Sequence, residues 1–252
     1  MSIKQGSAAD YFLEAATKLQ LILAKKAVCE KDVHDLRVAA RKIKTLAADF
    51  GLFFPDKCWR VRQQVAKIIR KFSPVREQQL FAKFISQLTA VECATDRCFV
   101  VDCEPLPTIG AKQREKLTKR FRKSRELLNQ PLNSERLNQA ISSWLEEFST
   151  IVAGSLASLD DERLHKIRIA AKKLRYRLEC FAPQQAELIN HVTAIQTEIG
   201  ILHDWLTFKR LLSTTNLSAA ADEQAAQRIE QGILLSRERA ITQTLTALPA
   251  PL

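Results

Sequence analysis

One histidine-led basic segment occurs twice in this sequence, with the second copy 131 residues after the first. Residues 33–45 read VHDLRVAARKIKT, and residues 164–176 read LHKIRIAAKKLRY. Five of the 13 aligned positions are identical, six are conservative replacements and two differ in kind. Because this period of 131 residues is much longer than a solenoid unit, it predicts two pseudo-equivalent helical bundles.

The composition predicts helices along the whole chain. The 252 residues include only 6 Gly and 8 Pro, while Ala, Leu and long polar residues favour helix. Ser73-Pro74 is expected to break a helix, and Asp32 and Asp160 are expected to cap helices. Residues 99–109 predict an irregular linker, with a short extended piece at 98–101. Helical periodicity is visible at 8–28, 32–53, 56–72, 75–92, 110–129, 133–158, 161–182, 184–199, 202–213 and 221–247.

Each copy of the repeat carries two stripes when it is drawn as a helix. Apolar residues form one stripe, and basic residues within an arc of about 80° form the other. The two stripes are centred about 120° apart, so one face can pack while another presents cations. The apolar stripes are Leu36, Ala40, Ile43, Ala47 and Phe50, then Ile167, Ala171, Leu174, Leu178 and Phe181. The basic stripes are His34, Arg37, Arg41 and Lys44 (row 1), and His165, Arg168, Lys172 and Arg175 (row 2).

The basic rows lack the acidic neighbours that a solvated helix face usually has. Like charges three or four positions apart cost about 0.2–0.5 kcal/mol each. In row 1 no acid lies three or four positions from any of the three cations, and in row 2 only Glu179 does, four positions after Arg175. Arg offers a fork to phosphate oxygens, Lys a point charge, and His a further donor once protonated. This pattern predicts anion binding, with a solvated face as the alternative.

A third basic segment, residues 111–125, holds eight cations and one acid. Four of its lysines share a stripe, Lys112, Lys116, Lys119 and Lys123 (row 3). Its other cations point several ways, so a solvated helix is the alternative interpretation. Arg76 and His203, each followed by an acid, could also join a site or could instead cap helices.

Charge and cysteine content limit the classes of function. The net charge is +11, and residues 1–126 hold 26 Lys and Arg against 14 Asp and Glu. A polyanionic partner is therefore expected. Cys93, Cys98 and Cys103 match no zinc pattern, so no metal or cofactor is predicted. Without a leader pattern or a run of about 18 apolar residues, the sequence predicts a cytoplasmic protein with no membrane partner.

The two copies resemble the signature helices of the CHAD family, a histidine-containing helical domain. IGILHDWLTFKRLL resembles its following leucine-glycine segment, and the likeness runs over essentially the whole chain. Two features depart from the family pattern. Lys44 stands where the second copy has an arginine, and Arg76-Glu77 replaces the usual ending in Asp. The resemblance implies an all-α domain over 1–252, built from halves 1–130 and 131–252. It also implies two four-helix bundles related by a pseudo-twofold axis, with a central basic groove or channel.

The family resemblance further implies binding of inorganic polyphosphate by rows 1, 2 and 3, at polyphosphate granules in some members. A polyphosphate-metabolising enzyme or a granule protein is a conceivable partner. The alternative function is nucleic-acid binding by the same basic surface, although only Tyr176 adjoins the repeat as a stacking aromatic. No carboxylate cluster or phosphate-binding glycine loop is visible, so an enzyme is not expected.

Overall fold

In a computed structural model, the protein is described over residues 6–25, 28–90, 107–155, 158–215 and 219–246. Every regular element in these ranges is helical, which confirms the all-α prediction. None of the described helices is long and apolar enough to cross a membrane. The α-helices are α1 (Gly6–Ala24), α2 (Glu30–Phe53), α3 (Val61–Ala90), α4 (Ala111–Leu128), α5 (Ser134–Ser155), α6 (Asp161–Phe181), α7 (Ala186–Leu212) and α8 (Ala219–Thr246), and a 3₁₀ helix covers Lys57–Arg60.

The described residues group into two compact units. Unit 1 comprises those within Met1–Arg76, Glu104–Ser142 and Tyr176–Pro183. Unit 2 comprises those within Glu77–Cys103, Ser143–Arg175 and Gln184–Leu252. Helices α3, α5 and α6 each contribute a segment to both units. A single domain made of halves 1–130 and 131–252, the pseudo-twofold relation and a shared basic channel all stay predictions.

The apolar stripes of the repeat are buried in both copies. Leu36 is 1% exposed, and Ala40, Ile43, Ala47 and Phe50 are 0% exposed. In the second copy, Leu174 is 1% exposed, and Ile167, Ala171, Leu178 and Phe181 are 0% exposed. Burying one such Leu, Ile or Phe side chain stabilises the fold by about 1.5–3 kcal/mol. The packing therefore fixes which face of each repeat helix is turned away from the core.

Unit 1 is built around an aromatic cluster. The ring of Phe50, on α2, stacks on Trp59 at 5.5 Å and lies 5.0 Å from Phe181, on α6. Phe12, on α1, meets Phe50 edge-on at 5.6 Å and approaches Phe121, on α4, at 6.4 Å. Such pairs add about 0.5–1.5 kcal/mol beyond the area they bury. The cluster holds α2, whose basic row belongs to the candidate site.

Unit 2 has its own aromatic cluster, centred on α7. Phe208 stacks on Phe84, on α3, with ring centroids 4.9 Å apart, and Trp205 meets Phe84 edge-on at 5.3 Å. On its other side, Trp205 lies directly against Gly232 of α8. These contacts set the rotation of α7 about its axis, and therefore the side of the helix on which His203 lies.

Two predicted helix breaks are wrong. Helix α3 runs through Ser73-Pro74, where 56–72 and 75–92 were expected to be separate helices. Proline inside a helix costs about 3 kcal/mol, but its neighbours Phe72 and Val75 are both 2% exposed, so burial on either side offsets that cost. Helix α7 is likewise continuous across 200–201, because Ile199 and Leu202 are both buried.

The cap predictions had mixed outcomes. Asp160 caps α6, since its Oδ1 accepts a hydrogen bond of 2.9 Å from the backbone N–H of Arg163. Asp32 is not an N-cap: α2 begins earlier, at Glu30, and the Asp32 carboxylate accepts at 3.1 Å from the N–H of Cys29. The extended piece expected at 98–101 and the three cysteines Cys93, Cys98 and Cys103 lie outside the described residues. So does the linker expected at 99–109, apart from residues 107–109, which are not helical.

Candidate anion-binding site

Row 1 lies wholly in unit 1, on the side of α2 away from its buried stripe. His34 and Lys44 are exposed, while Arg37 and Arg41 are half-buried. Nη2 of Arg37 donates a hydrogen bond of 3.4 Å to Oγ of Ser73, on α3. That hydroxyl in turn donates to the carbonyl of Ile69 at 2.8 Å. Helix α3 therefore contacts the guanidinium of Arg37 beside the row.

Arg76 adds a further cation beside row 1. Its Nη1 donates to Oε1 of Glu30 at 2.6 Å, which ties α3 to the start of α2. Partial burial lowers the pKa of His34, and the positive charge of Arg76 lowers it further. The imidazole of His34 therefore feels a positive field. An anion bound at this place would offset the part of this shift that comes from the positive charge of Arg76.

Row 2 lies wholly in unit 2, on α6. His165 is exposed, and Arg168, Lys172 and Arg175 are half-buried. The ring of His203, on α7, stacks on that of His165 with centroids 5.2 Å apart and 23° between the ring planes. A Cβ added at Gly200 would lie 3.7 Å from Nε of Arg168. Helix α7 therefore lies against row 2, as α3 lies against row 1.

The electrostatics of row 2 parallel those of row 1. Partial burial lowers the pKa of His165, and the nearby His203, Arg168 and Lys172 lower it further. In both units the repeat histidine is thus held in a cationic environment that resists a further positive charge.

Row 3 lies on the outer side of α4, with all four lysines exposed. Leu117, Phe121 and Leu128 bury the opposite side of the helix. Nζ of Lys119 lies 3.5 Å from Glu115, and Nζ of Lys123 lies 3.0 Å from Asp56. Neither of these two ion pairs involves a residue of row 1. The role of row 3 in the site therefore stays a prediction.

Glu179, which follows Arg175 by four positions in the sequence, has structural partners in unit 1. Glu179 accepts a hydrogen bond from Tyr11 and lies 3.7 Å from Nζ of Lys42. The same ammonium group lies 4.1 Å from the centre of the Tyr11 ring. Lys42 belongs to the repeat but lies on a different face of α2 from row 1, and there it contacts Glu179 and Tyr11.

The sequence pointed only weakly to Arg76 and His203. The structure places each of them beside a repeat histidine, which a pattern within one helix cannot reveal. In the described part of the chain, no group of three or more His, Cys, Asp and Glu side chains is placed to hold a metal ion. The chemistry offered by both rows is hydrogen-bond donation and positive charge.

The family model of the CHAD domain matches residues 12–213. The chain belongs to the CHAD family. The match includes all three rows, together with Arg76 and His203, and ends just after α7. No curated protein and no solved structure gives a significant match. In this CHAD domain, α8 is the one described helix that lies wholly outside the matched segment, and it packs on α7 through Gly232 and Trp205.

Proposed function

We propose that this protein binds inorganic polyphosphate without catalysing its conversion. The observation that carries the proposal is that each unit holds one complete row of a histidine and three cations, with its guanidinium groups half-buried. Membership of the CHAD family supports a polyphosphate-related role. The same donors on both copies suit a ligand that repeats one chemical group, as a phosphate chain does.

The mechanism is neutralisation of a flexible polyanion by restrained donors. Guanidinium groups form bidentate, charge-assisted hydrogen bonds with phosphate oxygens. Since Arg37 and Arg168 are half-buried, their side chains have less rotamer freedom to lose when they bind. Counterions released from the chain add a favourable, salt-dependent contribution.

Two rows favour long chains over short ones. A chain that has bound one row reaches the second at a high effective concentration if it can span the distance between them. A central channel shared by both rows would provide such a path, and this arrangement belongs to the proposal. Location at polyphosphate granules, with a polyphosphate-metabolising enzyme or a granule protein as partner, would follow from the same binding.

The decisive experiment is a binding titration with polyphosphates of several lengths at two salt concentrations. Affinity should rise with chain length, and log Kd should change linearly with log salt concentration. Competition between polyphosphate and RNA or DNA at equal phosphate concentration distinguishes polyphosphate binding from the alternative, nucleic-acid binding. Equal or stronger binding of nucleic acid, or no binding of long polyphosphate, would overturn the proposal. Phosphate release with Mg²⁺ or Mn²⁺ that depends on His34 or His165 would overturn its non-catalytic part.

A further inference from the structure

Much of the positive charge of unit 1 lies outside row 1. Residues 57–76 hold seven Lys and Arg and no Asp or Glu, and α4 holds eight Lys and Arg against two Glu. Both segments belong to unit 1. Because row 1 lies on α2, the charge on these two segments needs an explanation of its own.

The first part of α3 lies beside α4, and the two helices run antiparallel. Nζ of Lys71 donates a hydrogen bond of 2.6 Å to the carbonyl of Thr108, just before α4 begins. Toward the other end of α4, Nζ of Lys123 lies 3.0 Å from Oδ2 of Asp56, which precedes the 3₁₀ helix before α3. These two contacts place the basic side of α3 next to that of α4.

Two tracks of basic residues run along this pair of helices. Lys67 and Lys71 are one turn apart and Arg60 is seven positions before Lys67, so the three lie on one side of α3. Row 3 is the second track, and Arg120 lies on the same helix, on the side toward α3. All of these residues are exposed except Arg120, which is half-buried. We call this surface the α3–α4 face, and it comprises Arg60, Lys67, Lys71, Lys112, Lys116, Lys119, Arg120 and Lys123.

The charges of the α3–α4 face are only partly balanced. Burial lowers the pKa of the Arg120 guanidinium, and the positive charge of nearby Arg60 lowers it further. Two lysines of row 3 pair with acids, as described above. In contrast, neither Lys67 nor Lys116 makes an ion pair with any described residue. The face therefore keeps an excess of positive charge that an external anion would neutralise.

The α3–α4 face and row 1 lie on different sides of α3. The residues of α3 beside row 1 are Ser73, which accepts from Arg37, and Arg76, which acts on His34. At 100° per residue, Lys67 and Lys71 are centred about 170° around the helix from Ser73 and Arg76. A ligand on the α3–α4 face would therefore not be held by row 1.

The two tracks fit a ligand with two anionic strands. Each track spans 11 positions, Arg60 to Lys71 and Lys112 to Lys123, or about 16 Å. Packed helices lie about 8–10 Å apart, and the strands that border the major groove of a DNA duplex are separated by about 12 Å. A polyphosphate chain has one strand, for which one track would be enough.

Aromatic residues near the α3–α4 face are turned away from it. Trp59, Phe72 and Phe121 are all buried, at 2–4% exposure. Proteins that bind single-stranded nucleic acid usually stack its bases on exposed aromatic rings. The face instead offers charge alone, which suits contact with phosphates and not with bases.

We propose that the α3–α4 face binds the phosphate backbone of duplex nucleic acid without reading its sequence, separately from the rows that bind polyphosphate. Its Lys and Arg side chains neutralise phosphates and release counterions, which provides sequence-independent affinity. The Kd expected for such binding is about 10⁻⁴–10⁻⁶ M at physiological salt. Row 3 then belongs to this surface and not to the polyphosphate site.

The test compares the full chain with the double variant Lys67→Glu, Lys116→Glu. The probe is a labelled DNA duplex of about 20 base pairs, long enough to cover both tracks at roughly 3.4 Å per base pair. Fluorescence anisotropy gives its Kd at two salt concentrations, and the Kd of long-chain polyphosphate is measured in parallel. The matched control, Arg228→Glu, Arg239→Glu, makes the same change in net charge at exposed positions of α8, in unit 2.

The variant of the α3–α4 face should bind the duplex at least about tenfold more weakly, because repulsion replaces two phosphate contacts. The slope of log Kd against log salt should fall by about two, since each lysine contributes about one. Its Kd for polyphosphate should stay close to that of the wild type, and the α8 control should keep both affinities.

The double variant Arg37→Glu, Arg168→Glu should show the reverse pattern, losing polyphosphate and keeping the duplex. The wild type should bind long polyphosphate more tightly than the duplex, because half-buried guanidinium groups form bidentate contacts that exposed lysines do not. Circular dichroism of each variant separates a loss of fold from a loss of ligand.

A wild-type protein that binds no duplex would overturn this inference, as would an unchanged Kd for the duplex in Lys67→Glu, Lys116→Glu. Equal weakening in the α8 control would show that only overall charge matters. Equal weakening of polyphosphate and duplex in the variant of the face would assign the face to the polyphosphate site, and equal binding of single-stranded DNA would contradict the role of two tracks. Failure of the wild type to bind polyphosphate would count against the proposed function alone.

Discussion

The guanidinium group of Arg177 holds the carboxylate of Asp49 through Nη2 to Oδ1 at 3.1 Å and Nε to Oδ2 at 3.2 Å. Both residues belong to unit 1, where the end of α6 meets the end of α2. The side chains are 14% and 3% exposed. A largely buried, hydrogen-bonded ion pair thus joins the two repeat helices, about one turn or less from the contact of Phe50 with Phe181.

Replacing Asp49 with Asn should destabilise the protein by about 3–5 kcal/mol. The amide keeps the shape of the carboxylate but removes the negative charge that faces the largely buried guanidinium group of Arg177. Urea unfolding followed by circular dichroism measures the loss. The control is Glu162→Gln, which removes an exposed pair with Lys166 and should cost less than about 1 kcal/mol. Equal stability of the two variants would contradict a stabilising role for the pair of Arg177 and Asp49.

Periodicity predicted the repeat helices well because their packing depends on spacing within one element. All ten positions of the two apolar stripes are buried, as a 3.6-residue period requires. The prediction that a helix ends at Ser73-Pro74 was wrong, because it relied on local propensity alone. Local propensity favours ending a helix there, but the burial of Phe72 and Val75 depends on other helices and outweighs it.

The site was only partly predictable for the same reason. Rows 1 and 2 follow from spacing along α2 and α6. The contribution of Arg76 and His203 depends on how α3 and α7 pack. From the sequence alone, each could equally be interpreted as a helix-capping residue. Glu179 lies four positions after Arg175 in the sequence, but its contacts with Tyr11 and Lys42 come from tertiary packing in unit 1.

The double variant Arg37→Glu, Arg168→Glu should lose polyphosphate binding by at least about 100-fold, since each lost charge-assisted hydrogen bond contributes roughly 1.5–3 kcal/mol. It should remain helical, because neither residue belongs to a buried apolar stripe. Fluorescence titration with long-chain polyphosphate measures the affinity, and circular dichroism checks the fold.

The matched control is Arg62→Glu, Arg239→Glu, which makes the same change in net charge at exposed positions on α3 and α8. If binding depended on overall charge alone, both double variants would weaken it equally. That outcome would contradict a role for the two rows.

Between about pH 7.5 and 5.5, the free protein should lose stability as the pH falls. The folded-state pKa values of His34 and His165 are lowered by burial and nearby cations. The unfolded chain therefore binds more protons in this window, which favours unfolding at the acidic end. Thermal unfolding at several pH values should show this slope. It should be shallower in His34→Gln, and a steeper slope in that variant would contradict the assigned direction.

Replacing Gly232 with Ala should destabilise the protein, because the added Cβ would overlap the ring of Trp205. Overpacking of this kind costs about 1–3 kcal/mol. Gly154→Ala is the matched control: it is also a helical glycine, but nothing lies within 4 Å of its added Cβ. There, alanine should stabilise the helix by about 0.5–1 kcal/mol. Chemical unfolding of the two variants should thus give shifts of opposite sign. If Gly232→Ala is also stabilising, α8 does not pack on α7 through Trp205, and the aromatic cluster that positions His203 must be held in another way.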